Sequence, residues 1–271
     1  MIREYRPGER ICVVGKSGSG KTNLCLFLAQ NSPVRPVVIF NTKWDDQYHR
    51  LGTKKDVTRT LPDRIRPDRE WVIVEPDSET ISDPDALDDM LAALGESKDI
   101  TVLIDESYMF HKRGQAGPGM IGLLTRGRSR GITTICGTQR PAWVSRFVFS
   151  EATQGYFLRL NTEDDKKTVR SYTGIDPFLI PTEKYQSLWV DMDQGGEPEA
   201  FRLPKFKKTG GGDSPPEKGF HVHLRGFSME GVVKVNVVNF LTVGLIALVW
   251  IAALKYVAKT WAPNSTFTQY I

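Results

Sequence analysis

Cysteine is scarce in this sequence, with three among 271 residues. Cys12, Cys25 and Cys136 are odd in number, widely spaced and each set in an apolar context. That excludes a disulfide framework and leaves no spacing suited to a metal site. They read as small buried hydrophobes of a reducing compartment. The amino-terminal MIREYRPGER lacks an apolar core, so no secretory signal is expected there. Internal repeats are missing too. Charge of one sign is not in marked excess: 36 Lys and Arg face 32 Asp and Glu, a net +4. Such a balance permits a polyanionic partner without arguing for one.

What is present is an ordinary globular composition, 40% hydrophobic and 25% charged, with room for one sizeable α/β domain and something smaller. Short apolar runs predict strands at Arg10–Val14, Val37–Phe40, Trp71–Val74, Thr101–Ile104, Ile132–Cys136 and Gly155–Leu160. Helical patterns fall between them at Asn23–Gln30, Asp83–Leu94, Pro118–Thr125 and Thr162–Tyr172, and edge strands are expected at Tyr185–Met192 and Ala200–Leu203. Strands apolar throughout and separated by helices indicate a mostly parallel sheet covered on both faces.

The chain changes character after residue 204. A basic, Gly- and Pro-rich linker is expected over 205–230. Val235–Leu254 then runs about 20 residues without a charge, enough to cross a bilayer core of roughly 30 Å. Lys234, Lys255 and Lys259 bracket this run, with Trp250, Tyr256 and Trp261 near its ends. The expectation is a transmembrane helix over 231–256 and a short tail over 257–271, anchoring the preceding domain, 1–204, to a membrane.

The chemistry is concentrated in three places. GKSGSGKT fits G-x-x-x-x-G-K-[ST] and lies directly between a strand and a helix. Gly15, Lys16, Ser17, Gly18, Ser19 and Gly20 would turn backbone N–H groups around phosphate oxygens at a helix N-terminus. Lys21 would bind the β- and γ-phosphates of ATP, and the Thr22 hydroxyl would ligate Mg²⁺. In TVLIDES an apolar strand ends on Asp105, placed to hold the same Mg²⁺ through its water, and on Glu106, placed to orient an attacking water. Finally, LTRGRSRGITTICGTQRP sets Arg126, Arg128 and Arg130 before an apolar strand and Gln139 after it. A strand parallel to the first and fourth ends at the same carboxyl edge, so Gln139 would reach the γ-phosphate or the attacking water. The three cations are expected at that catalytic edge as well, with Arg130 a solvated helix end.

A P-loop, an Asp–Glu strand end and then R-x-x-G, an apolar strand and T-Q-R-P resemble the FtsK–HerA superfamily of DNA-pumping ATPases. Within it the compact size is similar to the genome-packaging ATPases of internal-membrane viruses. The resemblance covers about residues 8–175. It implies a RecA-like P-loop NTPase fold, ATP and Mg²⁺ as cofactors, and double-stranded DNA and viral capsid or vertex proteins as partners. A homo-oligomeric ring, usually of six, is implied too. In that family an arginine before the fifth strand reaches the neighbouring subunit's ATP; by position this is Arg128, with Arg126 second. The basic stretch Tyr108–Gly119 reads as a flexible loop that could face a ring pore, with Lys112 and Arg113 touching DNA phosphates. Asn41–Asp46 follows the second strand, and Lys43 within it receives no role.

The membrane segment departs from soluble packaging motors and is similar instead to zonular-occludens-toxin-like assembly ATPases of filamentous phages. Three readings therefore compete: a membrane-anchored DNA packaging motor, in a host inner membrane or a virion's internal membrane; an assembly or export ATPase; and a nucleotide switch acting on a membrane partner. The adjacent Asp–Glu pair and the Arg–Gln set favour turnover over a slow switch.

Overall fold

Runs of apolar residues buried on both faces build the central strands. The computed structural model describes residues 5–203 except 64, 67, 113 and 196. Its strands are β1 (Arg10–Val14), β2 (Val37–Phe40), β3 (Lys55–Thr58), β4 (Trp71–Val74), β5 (Thr101–Ile104), β6 (His111–Lys112), β7 (Gln115–Ala116), β8 (Thr133–Thr138), β9 (Gln154–Leu158), β10 (Gln186–Asp191) and β11 (Glu199–Arg202). Its helices are α1 (Lys21–Gln30), α2 (Ser78–Ile81), α3 (Pro84–Gly95), α4 (Pro118–Arg126), α5 (Phe147–Ser150) and α6 (Glu163–Thr173).

Nine strands form one sheet in the order β11-β10-β9-β1-β8-β5-β2-β4-β3. From β9 to β3 every pairing is parallel, and β10 and β11 add an antiparallel edge. Alternate residues feed two cores. Cys12, Val14, Phe40, Val102 and Ile104 meet Leu87 and Leu91 of α3, Leu123 of α4 and Val169 of α6. Ile11, Val13, Ile39 and Leu103 meet Leu24, Cys25 and Leu28 of α1 on the other side. Burial on both faces explains why these strands carry no polar alternation. The mostly parallel sheet with helices on both faces is therefore as the sequence predicts.

The cysteines are free and buried. Burial pushes the Cys12 and Cys136 thiols up to about 12, and Cys25 is also raised, so all three stay protonated.

Three differences from the sequence-based expectation have local causes. The polar edge strand β3 (KDVT) has no apolar signal; it is held by parallel pairing to β4 and by an Arg69–Asp56 ion pair of 2.8 Å. Strand β8 runs on to Thr138 because Gly137 lies against the Asp105 backbone, where a Cβ would sit 2.6 Å from the Asp105 carbonyl oxygen. Tyr108–Gly119 is not a free loop. It holds a 3₁₀ turn and the β6–β7 hairpin, and the buried His111 ring lies 2.6 Å from the Ser107 carbonyl oxygen.

The expected linker, transmembrane helix and tail, at 205–230, 231–256 and 257–271, lie outside the described residues. Among the described residues no helix is long and apolar enough to cross a membrane.

Candidate nucleotide-hydrolysis site

Every parallel strand ends at one edge of the sheet, and the site is assembled there by the segments that leave β1, β5, β2 and β8. After β1 the chain turns through Gly15–Gly20 into α1. The loop is pinned by the Gly15 N–H donating to the Thr138 carbonyl at 3.0 Å and the Lys16 N–H donating to the Arg159 carbonyl at 2.9 Å. Gly20 has φ 105°, a left-handed value suited to glycine, and a Cβ there would lie 2.7 Å from the Tyr185 ring. Ser17 and Gly18 are exposed, whereas Ser19 is buried with no hydrogen-bond partner for its Oγ among the described residues.

Lys21 opens α1 and reaches across to β5. Its Nζ lies 2.6 Å from Asp105 Oδ1, 2.9 Å from the Asp105 carbonyl oxygen and 3.1 Å from Glu106 Oε1. The Thr22 hydroxyl donates to Asp105 Oδ2 at 2.9 Å. Burial pushes the Asp105 carboxyl up, but the Lys21 and Lys43 ammonium groups and the Thr22 hydroxyl outweigh it and hold the group below the usual carboxylate range. Asp105 is thus a buried anion at neutral pH. A hydroxyl and a carboxylate meeting here form a hard-oxygen pair that fits Mg²⁺, which takes one or two protein oxygens beside phosphate and water. Among the described residues no cluster of three or more His, Cys, Asp or Glu is suited to a metal, and a Mg²⁺ shared with phosphate needs none.

Glu106 is fully buried, and its Oε1 also meets Lys43 Nζ. Burial first and the Lys21 charge second hold the Lys43 ammonium below the usual lysine value. Lys43 is the residue to which sequence reasoning gives no role. The only signal for it is position, just beyond a strand that ends at this edge.

Gln139 follows β8 at the same edge, as expected; its amide donates to the Tyr108 hydroxyl at 3.4 Å. The arginines are elsewhere. The sequence suggests cations at the catalytic edge, but they precede β8 and so lie at the amino edge. There Arg128 covers the residues leading into β1: a Cβ on Gly8 would be 3.2 Å from the Arg128 carbonyl oxygen. Five residues of β1 at about 3.3 Å each put roughly 15 Å of sheet between that point and the P-loop. Arg130 is tied to Glu96, with Nη2 3.1 Å from Oε2. Arg126 and Arg128 are exposed. Lys112 pairs with Asp85 at 2.7 Å, both exposed, and Arg113 lies outside the described residues.

A parallel sheet with a glycine loop between β1 and α1, and a magnesium-suited Asp–Thr pair under it, defines a P-loop NTPase. No protein-family model matches the chain. It is 30% identical over 202 residues to the DNA packaging ATPase P9 of Enterobacteria phage PRD1, across 70% of this chain and 86% of that protein. The chain belongs to the family of that packaging ATPase. Its fold is also that of the genome packaging NTPase B204 from Sulfolobus turreted icosahedral virus 2, solved with ATP-γ-S, with TM-score 0.57, 17% identity and coverage of 74% and 99% of the two chains. VirB4 of Thermoanaerobacter pseudethanolicus shares the fold at TM-score 0.53 and 10% identity, over 72% of this chain and 89% of that one.

Proposed function

We propose that this protein is a viral genome-packaging motor, hydrolysing ATP to move double-stranded DNA. The observation that carries the reading is the convergence of Lys21, Thr22, Asp105 and Glu106 at one sheet edge, in a chain of the packaging-ATPase family. The loop Gly15–Gly20 would enclose the phosphates with its N–H groups, and Lys21 would turn from Asp105 to the β- and γ-oxygens. Thr22 and Asp105 would hold Mg²⁺, which supplies charge neutralisation on the transferring phosphoryl group. Glu106 would orient and polarise the attacking water, and Gln139 would sense the γ-phosphate without adding charge.

An amino-edge Arg128 cannot reach its own P-loop across the sheet, so it serves a neighbour's site or none. A ring supplies that neighbour, and Arg128 there would stabilise the transition-state charge. Lys112 and Arg113 remain candidates for phosphate contacts along the DNA. Viral capsid or vertex proteins would receive the motor, and the 231–256 segment would anchor it in a host or virion membrane with the ATPase domain on the ATP side. The test is steady-state ATP hydrolysis by the full chain in membranes during a duplex DNA titration. Turnover is expected to rise and saturate; an unchanged rate would favour the export or switch reading.

A further inference from the structure

One contact at the site has no part in the roles above. We propose that Lys43 is a positioning residue for hydrolysis: it holds Oε1 of Glu106 and so leaves Oε2 as the oxygen free to take the attacking water. This rests on the reading of Glu106 as the carboxylate that orients that water.

The two oxygens of Glu106 are not equivalent. Oε1 receives both the Lys21 and the Lys43 ammonium groups, while Oε2 is buried without a hydrogen-bond partner among the described residues. A buried carboxylate oxygen left unpaired is costly, and at a hydrolytic site a catalytic role is one explanation for it. Lys21 belongs to the P-loop, and its work there is on phosphate. Once it turns to the β- and γ-oxygens, Lys43 is the ammonium left on Glu106. Without it Oε1 would lose the second of its two ammonium partners.

Lys43 is suited to this by its setting. It stands on the segment after β2, and β2 pairs directly with β5, which delivers Glu106. The segment is tied in place. The Asn41 amide donates to Glu75 Oε1 at 2.6 Å and to the Asp45 carbonyl at 3.2 Å, and the Asp45 N–H returns to Asn41 Oδ1 at 2.8 Å. Trp44 has φ 51°, unusual for a bulky side chain, and its indole N–H donates to the Pro76 carbonyl at 3.0 Å. A bulky residue keeps such a backbone conformation only where its surroundings hold it. The turn that carries Lys43 is therefore tied in place, and the half-exposed Lys43 side chain reaches from it to Glu106 Oε1.

The experiment compares Lys43→Met, Lys43→Arg, Glu106→Gln and the Lys43→Met/Glu106→Gln double variant in the full chain. ATP turnover, single-turnover hydrolysis, binding of a non-hydrolysable ATP analogue and thermal unfolding are measured for each. Lys43→Met is expected to lower kcat about 10²-fold through misplacement of Glu106, with KM, analogue binding and melting temperature unchanged. Lys43→Arg should recover about tenfold of that loss, because it restores a cation to Oε1. In single turnover the double variant should be no slower than Glu106→Gln, since both substitutions act on one group. The proposal is overturned if Lys43→Met keeps its kcat, if the loss appears in KM alone, or if the two substitutions add. Glu106→Gln with undiminished turnover would sink the carboxylate reading itself; Glu106→Gln inactive with Lys43→Met fully active sinks the Lys43 proposal alone.

Discussion

Each side chain at the site takes its meaning from the strand end that carries it. Lys21, Thr22, Asp105 and Glu106 are legible in the sequence because the motifs that contain them are local. A glycine loop must follow a strand and lead a helix, and a paired carboxylate must close an apolar strand. Lys43 is not legible, because its importance comes from β2 lying beside β5, a pairing between residues 37–40 and 101–104. The arginines teach the converse. In a parallel sheet the residues before a strand lie opposite those after it, so Arg126, Arg128 and Arg130 could not share the edge that Gln139 occupies. Arg130 is further committed to Glu96. Arg128→Ala is expected to lower turnover by about 10³-fold or more while ATP binding persists. Mixing Arg128→Ala with Glu106→Gln subunits should partly restore hydrolysis, because some interfaces then pair an intact arginine with an intact glutamate. No recovery in that mixture would count against an arginine acting in trans.

The apolar central strands are the most directly legible elements. The six strands buried on both faces read directly from their apolar runs, and the four longer helices fall within about two residues of their expected bounds. Strand β3 escapes because an edge strand on a polar segment is fixed by its neighbour and not by its own composition. The hairpin β6–β7 escapes for a related reason: the segment it leads into is ordered by Asp88 of α3. That carboxylate accepts from the Gly119 and Met120 N–H groups at 2.8 Å each, capping α4 from a neighbouring helix. Nothing in the local sequence of α4 announces such a cap, since Gly117 has no side chain to provide one. Asp88→Ala should therefore destabilise the domain by about 1–2 kcal/mol, the usual worth of a helix cap. Chemical denaturation of the two proteins reads this directly, and an unchanged midpoint would show that α4 holds its end without Asp88.

For the whole molecule, two features stand out: an ATPase domain with a cation on the edge away from its own P-loop, and a carboxyl-terminal segment with the composition of a membrane span. On the proposed function the first would serve a neighbouring subunit and the second would meet a membrane. Truncation after about Met229 is expected to move the protein from the membrane to the soluble fraction, an effect far larger than that of losing any surface charge. Membrane association persisting after the truncation would rule out the segment as the anchor.

On the proposed function, ATP hydrolysis at this site moves the protein along duplex DNA. Displacement of a third strand from a triplex-bearing duplex measures that movement directly. With the full-length protein, ATP should release the third strand at a rate that grows as the duplex lead-in shortens. Glu106→Gln protein, or a non-hydrolysable ATP analogue, should leave the triplex intact. ATP consumed by the active protein with the triplex undisturbed would contradict the claim.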